Sequence, residues 1–303
     1  MGKSNIEWTE VTWNPTTGCT KVSPGCAHCY AESLTKRYAG APGWPAEFKP
    51  WTPANAAENV VLHPDRLDAP LRWKTPRMVF VDSMSDLFHE NIGESFIDRV
   101  FRVMWETPQH TYQILTKRPA RMREYLTIRP SVAAPENRLL NDDEFREAVW
   151  GRVPLPNVWL GVTVENQHWA DVRIPILLST PAAVRFVSAE PLLGPVDMAM
   201  LKLGKREGQL GTFNQYLDAL HGTHCDGMGF ERKLAAKYHL DWVIVGGESG
   251  PKHRRFDPEW ARSIVRQCRG AQVDCFVKQM GGARPGTKLE DLPADLRVRE
   301  FPR

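Results

Sequence analysis

Met78-Val79-Phe80-Val81-Asp82-Ser83-Met84-Ser85-Asp86 sets the pattern from which the fold is read. Four apolar, β-favouring residues stop at a polar cluster, the profile of a short buried strand that ends in a loop. The profile recurs along the chain. Tyr112-Gln113-Ile114-Leu115 ends in Thr116-Lys117-Arg118, and Val158-Trp159-Leu160-Gly161-Val162 ends in Thr163-Val164-Glu165-Asn166. Val184-Arg185-Phe186-Val187 ends in Ser188-Ala189-Glu190-Pro191. Trp242-Val243-Ile244-Val245 runs into Gly246-Gly247-Glu248-Ser249-Gly250, and Cys275-Phe276-Val277 into Lys278-Gln279. A first strand and its exit loop are read within residues 6–18.

Helical patterns lie between these runs. Residues 94–107 carry Phe96, Ile97, Val100, Met104 and Trp105 at helical spacing. A further helix starts near Pro119, and another runs from Asn166 to about Ser179. Asp257-Pro258-Glu259 opens the last as N-cap, first-position proline and first-turn acid. Strands alternating with helices predict an α/β fold with a parallel sheet and right-handed crossovers. About six or seven such strands predict a partial (β/α) barrel. Parallel strands bring their C-terminal ends to one face, the face where barrel active sites lie. Asp82, Ser83, Lys117, Arg118, Thr163, Glu165, Ser188, Glu190, Glu248 and Lys278 are therefore expected to ring one mouth. Each also has a plainer reading as a turn cap, and the cations as salt-bridge partners of Glu165, Glu190 or Glu248.

The chain has 303 residues, 42% hydrophobic and 25% charged, enough for a sizeable core. It is read as one domain over residues 1–303, with insertions at about 40–76 and 197–240; residues 128–154 read as a loop and a short charged helix. A net charge of +3 is too weak to signal nucleic-acid binding. No apolar run approaches membrane-spanning length and no signal peptide is visible, so the expectation is a cytoplasmic protein without a membrane partner.

Half of the six cysteines fall in Gly18-Cys19-Thr20-Lys21-Val22-Ser23-Pro24-Gly25-Cys26-Ala27-His28-Cys29-Tyr30, spaced C-x6-C-x2-C. Gly18, Pro24 and Gly25 keep its first part a loop. From Cys26 onward the chain reads as a starting helix, so three thiolates can converge where a helix N-terminus favours negative charge. Three cysteines are one short of a closed zinc site or an ordinary iron–sulfur site, which suggests a position kept for a small molecule. A structural zinc is the alternative, with His28, His224 or Cys225 as fourth ligand. It would make the chain a non-catalytic, zinc-stabilised nucleic-acid-binding protein. A cluster kept only for folding or electron transfer is a further alternative. The segment from His221 to Asp226 reads as a solvated loop, and Cys268 and Cys275 as buried core thiols.

The cysteine loop resembles that of the radical S-adenosylmethionine (SAM) enzymes. There, three cysteines hold a [4Fe–4S] cluster whose fourth iron binds the amino and carboxylate groups of SAM. That superfamily usually spaces its cysteines C-x3-C-x2-C. Longer phrases, WNPTTGCTKVSPGCAHCYAE, VDSMSDLFHE, ILTKRP, GVTVENQ, SAEPLLGP and DWVIVGGESGP, resemble a phage- and prophage-associated three-cysteine family. That family is grouped with the radical SAM proteins and has no assigned reaction. The resemblance implies a radical SAM enzyme with Cys19, Cys26 and Cys29 as ligands, and a [4Fe–4S] cluster and SAM as cofactors. It also implies an electron donor such as a flavodoxin or ferredoxin. The substrate is unidentified; the phage association suggests a nucleotide or nucleic acid. Radical SAM enzymes often bind the SAM amino group through a Gly-Gly-Glu segment after the second strand. Here that place is held by Asp82-Ser83-Met84-Ser85-Asp86, whereas Gly246-Gly247-Glu248 follows the sixth strand. The implied SAM contacts are therefore Asp82 and Ser83 at the amino end and Thr163 and Glu165 at the ribose, with Ser188 and Glu190 lining the mouth. Lys117, with Arg118 and Lys278, would meet the SAM carboxylate or an anionic substrate. No catalytic residue is assigned.

Overall fold

The computed structural model describes residues 4–127, 154–208, 211–226, 231–234, 238–283 and 286–302. The loop and charged helix expected over 128–154 fall, but for the last residue, outside these. The strands are β1 (Val11–Trp13), β2 (Thr16–Thr17), β3 (Val61–Leu62), β4 (Met78–Val81), β5 (Thr111–Thr116) and β6 (Val158–Thr163). They continue with β7 (Val184–Ala189), β8 (Leu201–Gly208), β9 (Gly211–Asp218), β10 (Thr223–Asp226), β11 (Glu231–Lys233), β12 (Trp242–Gly246) and β13 (Asp274–Gln279). The helices are α1 (Tyr30–Tyr38), α2 (Ala56–Asn59), α3 (Glu94–Glu106), α4 (Pro119–Thr127), α5 (Gln167–Leu178) and α6 (Pro258–Ala271).

Seven strands form one parallel sheet in the order β1-β4-β5-β6-β7-β12-β13. Each strand is added beside the one before it, always on the same side. A doubly wound sheet reverses direction at a switch point, and this one never does, so the fold is a partial (β/α) barrel. Both faces of such strands are covered, which explains why β12 is buried at every position and β4 at three of four. The chain divides into two compact units, Met1–Leu160 with Thr180–Ala183, and Gly161–Ser179 with Val184–Arg303.

In the first unit, α3 buries Phe96, Ile97, Val100 and Met104 as its spacing predicts, adds Phe101 and Val103, and leaves Trp105 only half-buried. The insertion after α1 holds the short helix α2 between 3₁₀ turns, and its strand β3 pairs with β2 through Thr16–Leu62 and Thr17–Val61. That pairing anchors the insertion to the residues just before Cys19.

In the second unit, Asp257 caps α6 by accepting the Glu259 amide at 3.0 Å, with Pro258 in the first position. Asn166 caps α5 by accepting the Trp169 amide at 3.3 Å. Asp257→Ala is expected to lower unfolding free energy by about 1 kcal/mol in urea melts; an unchanged midpoint would remove the cap's role. The described part of the 197–240 insertion is an antiparallel sheet, β11-β10-β9-β8. The expected loop at His221–Asp226 is thus mostly strand: Cys225 sits in β10 opposite Tyr216 and Glu231. Cys268 and Cys275 are buried core thiols, as read. Among the described residues no helix is long and apolar enough to cross a membrane.

Candidate metal centre

The first unit builds a polar pole around the cysteine loop. β1 ends at Trp13, and the next residues are tied to the end of β4. The Asn14 side-chain oxygen accepts both the Ser83 hydroxyl and the Met84 amide at 3.1 Å. Asp82 donates its amide to the Trp13 carbonyl at 2.8 Å, and its Oδ1 accepts the Thr16 amide at 3.0 Å. Gly18 donates to the Met84 carbonyl at 2.9 Å and holds φ at +85°. Cys19 therefore leaves a backbone fixed on three sides.

The helix expected from Cys26 begins later. Pro24–Cys26 is a single 3₁₀ turn, and α1 starts at Tyr30 with Cys29 as its N-cap. The cause is Cys29 itself, whose ψ of 122° is incompatible with a helix running through it. The Tyr30 hydroxyl donates to the Ser83 carbonyl, joining the start of α1 to the loop after β4.

Cys26 lies within electrostatic reach of both Cys19 and Cys29. Burial pushes the Cys19 thiol up to about 12, Asp86 adds to the rise, and Arg118 opposes it. Burial likewise raises Cys29, against the amides of Glu32 and Ala31 at the start of α1 and the Lys117 ammonium. Cys26 has the Ser23 hydroxyl 3.9 Å from its sulfur.

Asp86 is the hub behind the loop. Its Oδ1 accepts the Phe88 amide at 3.1 Å and the Thr116 hydroxyl at 2.7 Å. Its Oδ2 accepts the Lys117 amide at 3.0 Å and Arg118 Nη1 at 3.2 Å. Arg118 Nη1 also donates to the Cys19 sulfur at 3.4 Å, and Nη2 to the Thr20 hydroxyl at 2.8 Å. Arg118 Nε is shared between both Glu90 carboxylate oxygens at 3.0 and 2.9 Å. Burial alone would lower the Arg118 pKa; Asp86, Cys19 and Glu90 together move it up. Burial and the same guanidinium hold His89 below its ordinary value. Its Nδ1 accepts the Asn91 amide at 3.1 Å, which puts the neutral ring's proton on Nε2, facing the Thr20 hydroxyl at 3.0 Å.

Among the described residues no three His, Cys, Asp or Glu side chains are drawn together as a ready metal site. The donor chemistry nevertheless fits an iron–sulfur cluster. Three thiols share one loop, two of them are desolvated so that their thiolates need positive charge beside them, and Lys117 and Arg118 already supply part of it.

The second unit gathers its own polar residues. Glu165 forms a fully buried ion pair with Arg173 at 3.1 Å. Arg173 also donates to the Thr163 carbonyl at 2.7 Å and lies 4.0 Å from the Trp169 ring centre. Ser188 is buried, its carbonyl accepting the Val164 amide at 2.9 Å. Glu190 pairs with Lys278 at 2.7 Å and accepts Gln279 Nε2 at 3.1 Å. Glu248 takes Arg254 Nε on Oε2 at 3.0 Å and Nη2 on Oε1 at 2.6 Å. The carboxylates Glu165, Glu190 and Glu248 thus each hold a cation of their own unit; of the expected pairs Lys278 with Glu190 is formed, while Arg118 pairs with Asp86 and Glu90.

The sequence matches, over residues 3–295, a family described as protein of unknown function, DUF5131. The chain belongs to that family. No curated protein and no solved structure matches it.

Within this DUF5131 member, the structure brings Asp82, Ser83, Lys117 and the three cysteines into one unit and one pole. Sequence reasoning favoured Asp82 and Lys117 there, whereas the residues that meet Cys19 and its backing are Arg118 and Asp86. Both stood in the quoted strand-end phrases, one position on from Lys117 and four from Asp82. Glu90 and His89 were missed as participants. Their signal was the phrase Asp86-Leu87-Phe88-His89-Glu90, in which a polar pair closes an apolar turn.

Proposed function

We propose that the protein is a radical SAM enzyme whose cluster is held by Cys19, Cys26 and Cys29. The observation that carries this reading is one loop bearing three half-buried thiols, with the Arg118 guanidinium on Cys19 and the Lys117 ammonium acting on Cys29. The C-x2-C half of the loop and the shared phrases support the same reading; the six residues between Cys19 and Cys26 depart from the superfamily's usual three. When bound, the cluster would supply the electron that cleaves SAM and starts radical chemistry on a substrate, with a nucleotide or nucleic acid as the proposed class.

The residues' own work is positional. Asn14 and Asp82 fix the backbone on which Cys19 rides, Cys29 places the first turn of α1 behind its sulfur, and Arg118 offsets thiolate charge. Asp82 and Ser83 remain the candidates nearest the loop for the SAM amino group, with Lys117 for its carboxylate. Thr163, Glu165, Ser188 and Glu190 belong to the second unit, where Glu165 is committed to Arg173 and Glu190 to Lys278.

The deciding experiment is anaerobic purification with iron, sulfide and zinc analysis, and electron paramagnetic resonance after reduction with and without SAM. About four irons and four sulfides per chain are expected, with a spectrum that SAM alters. Stoichiometric zinc without iron, persisting after anaerobic reconstitution, would replace this reading with a zinc-stabilised binding protein. Iron with a SAM-indifferent spectrum would leave a cluster that serves folding or electron transfer.

A further inference from the structure

We infer that Arg118 is a positioning residue that sets, through its N–H···S contact with Cys19 and its exposed partner Glu90, how readily a cluster on this loop accepts an electron. The inference rests on the cluster reading above and specifies a part of it.

The Arg118 side chain is 5% exposed, and every arm of its fork is engaged. The Nη1 edge bridges Asp86 and the Cys19 sulfur, the Nη2 edge holds Thr20, and Nε meets Glu90. An arginine needed only to neutralise Asp86 has no reason to turn toward sulfur. Asp86 already accepts from Phe88, Thr116 and Lys117, so it fixes the guanidinium without depending on it. Thr20, directly after the ligand, is held by the same fork, so the contact with Cys19 is made by a rigid donor.

Hydrogen bonds to the sulfurs and nearby net charge are principal determinants of cluster potential. One-electron reduction adds negative charge to the cluster, and a fixed cation beside a ligand sulfur stabilises that added charge. Glu90 opposes it by compensating the same cation. Glu90 is 63% exposed and takes Arg118 Nε, whereas Cys19 takes Nη1, so replacing Glu90 alters charge without removing the contact to the sulfur. The two residues should therefore move the potential in opposite directions.

The test compares reconstituted wild type with R118Q, R118K and E90Q. It combines iron and sulfide analysis, thermal melts, and midpoint potentials from dithionite titrations followed by electron paramagnetic resonance. R118Q is expected to disfavour the reduced cluster at least tenfold, a shift of about 59 mV to the negative. R118K, which keeps the charge and loses the fork, should fall between R118Q and wild type. E90Q should shift to the positive. If R118Q does not fold, R118K and E90Q carry the comparison. Midpoints that stay together in variants with full iron, even where melting temperatures fall, would reduce Arg118 to a structural tie and overturn the inference alone. A positive shift in R118K or a negative one in E90Q would also overturn it. Wild type without iron would instead remove the cluster reading, and this inference with it.

Discussion

Gly18→Ala is expected to lower the unfolding free energy by about 3 kcal/mol and to strip the loop of its metal-binding capacity. A Cβ at this position would lie 1.7 Å from the Asn59 carbonyl oxygen and 2.5 Å from its carbon. These are backbone atoms at the end of α2, so no side-chain rotation relieves the overlap. Either the insertion or the loop must move. The loop is held by the Gly18–Met84 and Thr16–Asp82 hydrogen bonds, so moving it breaks the ties that place Cys19. The φ of +85° adds the cost of a left-handed backbone for a residue with a Cβ. Gly43 separates the two contributions: its φ is +80°, and nothing lies within 4 Å of its missing Cβ. Gly43→Ala should therefore cost only about 1 kcal/mol, the backbone share. In thermal melts, Gly18→Ala should fall by roughly 6–12 °C at the sensitivity usual for domains of this size. Equal losses in the two variants would show that the Asn59 contact gives way cheaply and does not constrain the cysteine loop.

The barrel strands were legible because each is a local signal. Met78–Val81 and Trp242–Gly246 are apolar runs of strand length, cut by residues that cannot continue them, and Asp257-Pro258-Glu259 spells its own cap. The pairing of β2 with β3 was not legible: two residues on each side carry no periodicity, and the partners are more than forty positions apart. The start of α1 was misplaced because Cys26-Ala27-His28 has nothing in it that forbids a helix; only the extended ψ of Cys29 interrupts it. The backing of the candidate centre was hidden for a further reason. Arg118 and Cys19 are 99 positions apart, and of the two adjacent cations in Thr116-Lys117-Arg118 one meets Cys19 and the other acts on Cys29. Composition puts cations there; only the fold says which sulfur each one faces. In the second unit, the plainer reading of Lys278, a salt bridge to Glu165, Glu190 or Glu248, is met by Glu190.

Asp82→Asn is expected to stabilise the protein at neutral pH and to leave it unchanged near pH 4. Asp82 is buried at the end of β4, with φ of 57°, a conformation asparagine tolerates better than most residues. Its Oδ1 accepts the Thr16 amide, but its Oδ2 is buried without a hydrogen-bond partner. Burial accordingly raises the carboxyl from its ordinary 3.8 to about 7, with the Thr16 amide opposing the rise. An acid whose folded pKa lies above its unfolded value binds its proton more tightly when folded. Stability is then greatest below about pH 4 and is lost as pH rises toward 7, where folding must either keep the proton or bury the charge. At 1.36 kcal/mol per unit the loss approaches about 4 kcal/mol, of which asparagine, neutral at every pH, recovers the larger part. Urea melts of the two proteins from pH 4 to pH 8 should diverge steadily across that window, whereas a constant difference would mean that Asp82 titrates elsewhere. The same variant examines the role proposed for this residue. Asparagine preserves the acceptor for Thr16 and removes the negative charge that an ammonium group of SAM would seek. If Asp82 serves only to hold the cysteine loop against β4, the reduced variant should keep its full spectral response to SAM. If Asp82 also meets the SAM amino group, the response should weaken while the fold becomes more stable. Opposite movement of stability and ligand response at one carboxylate is the mark of a group whose unfavourable burial serves a binding role rather than the fold.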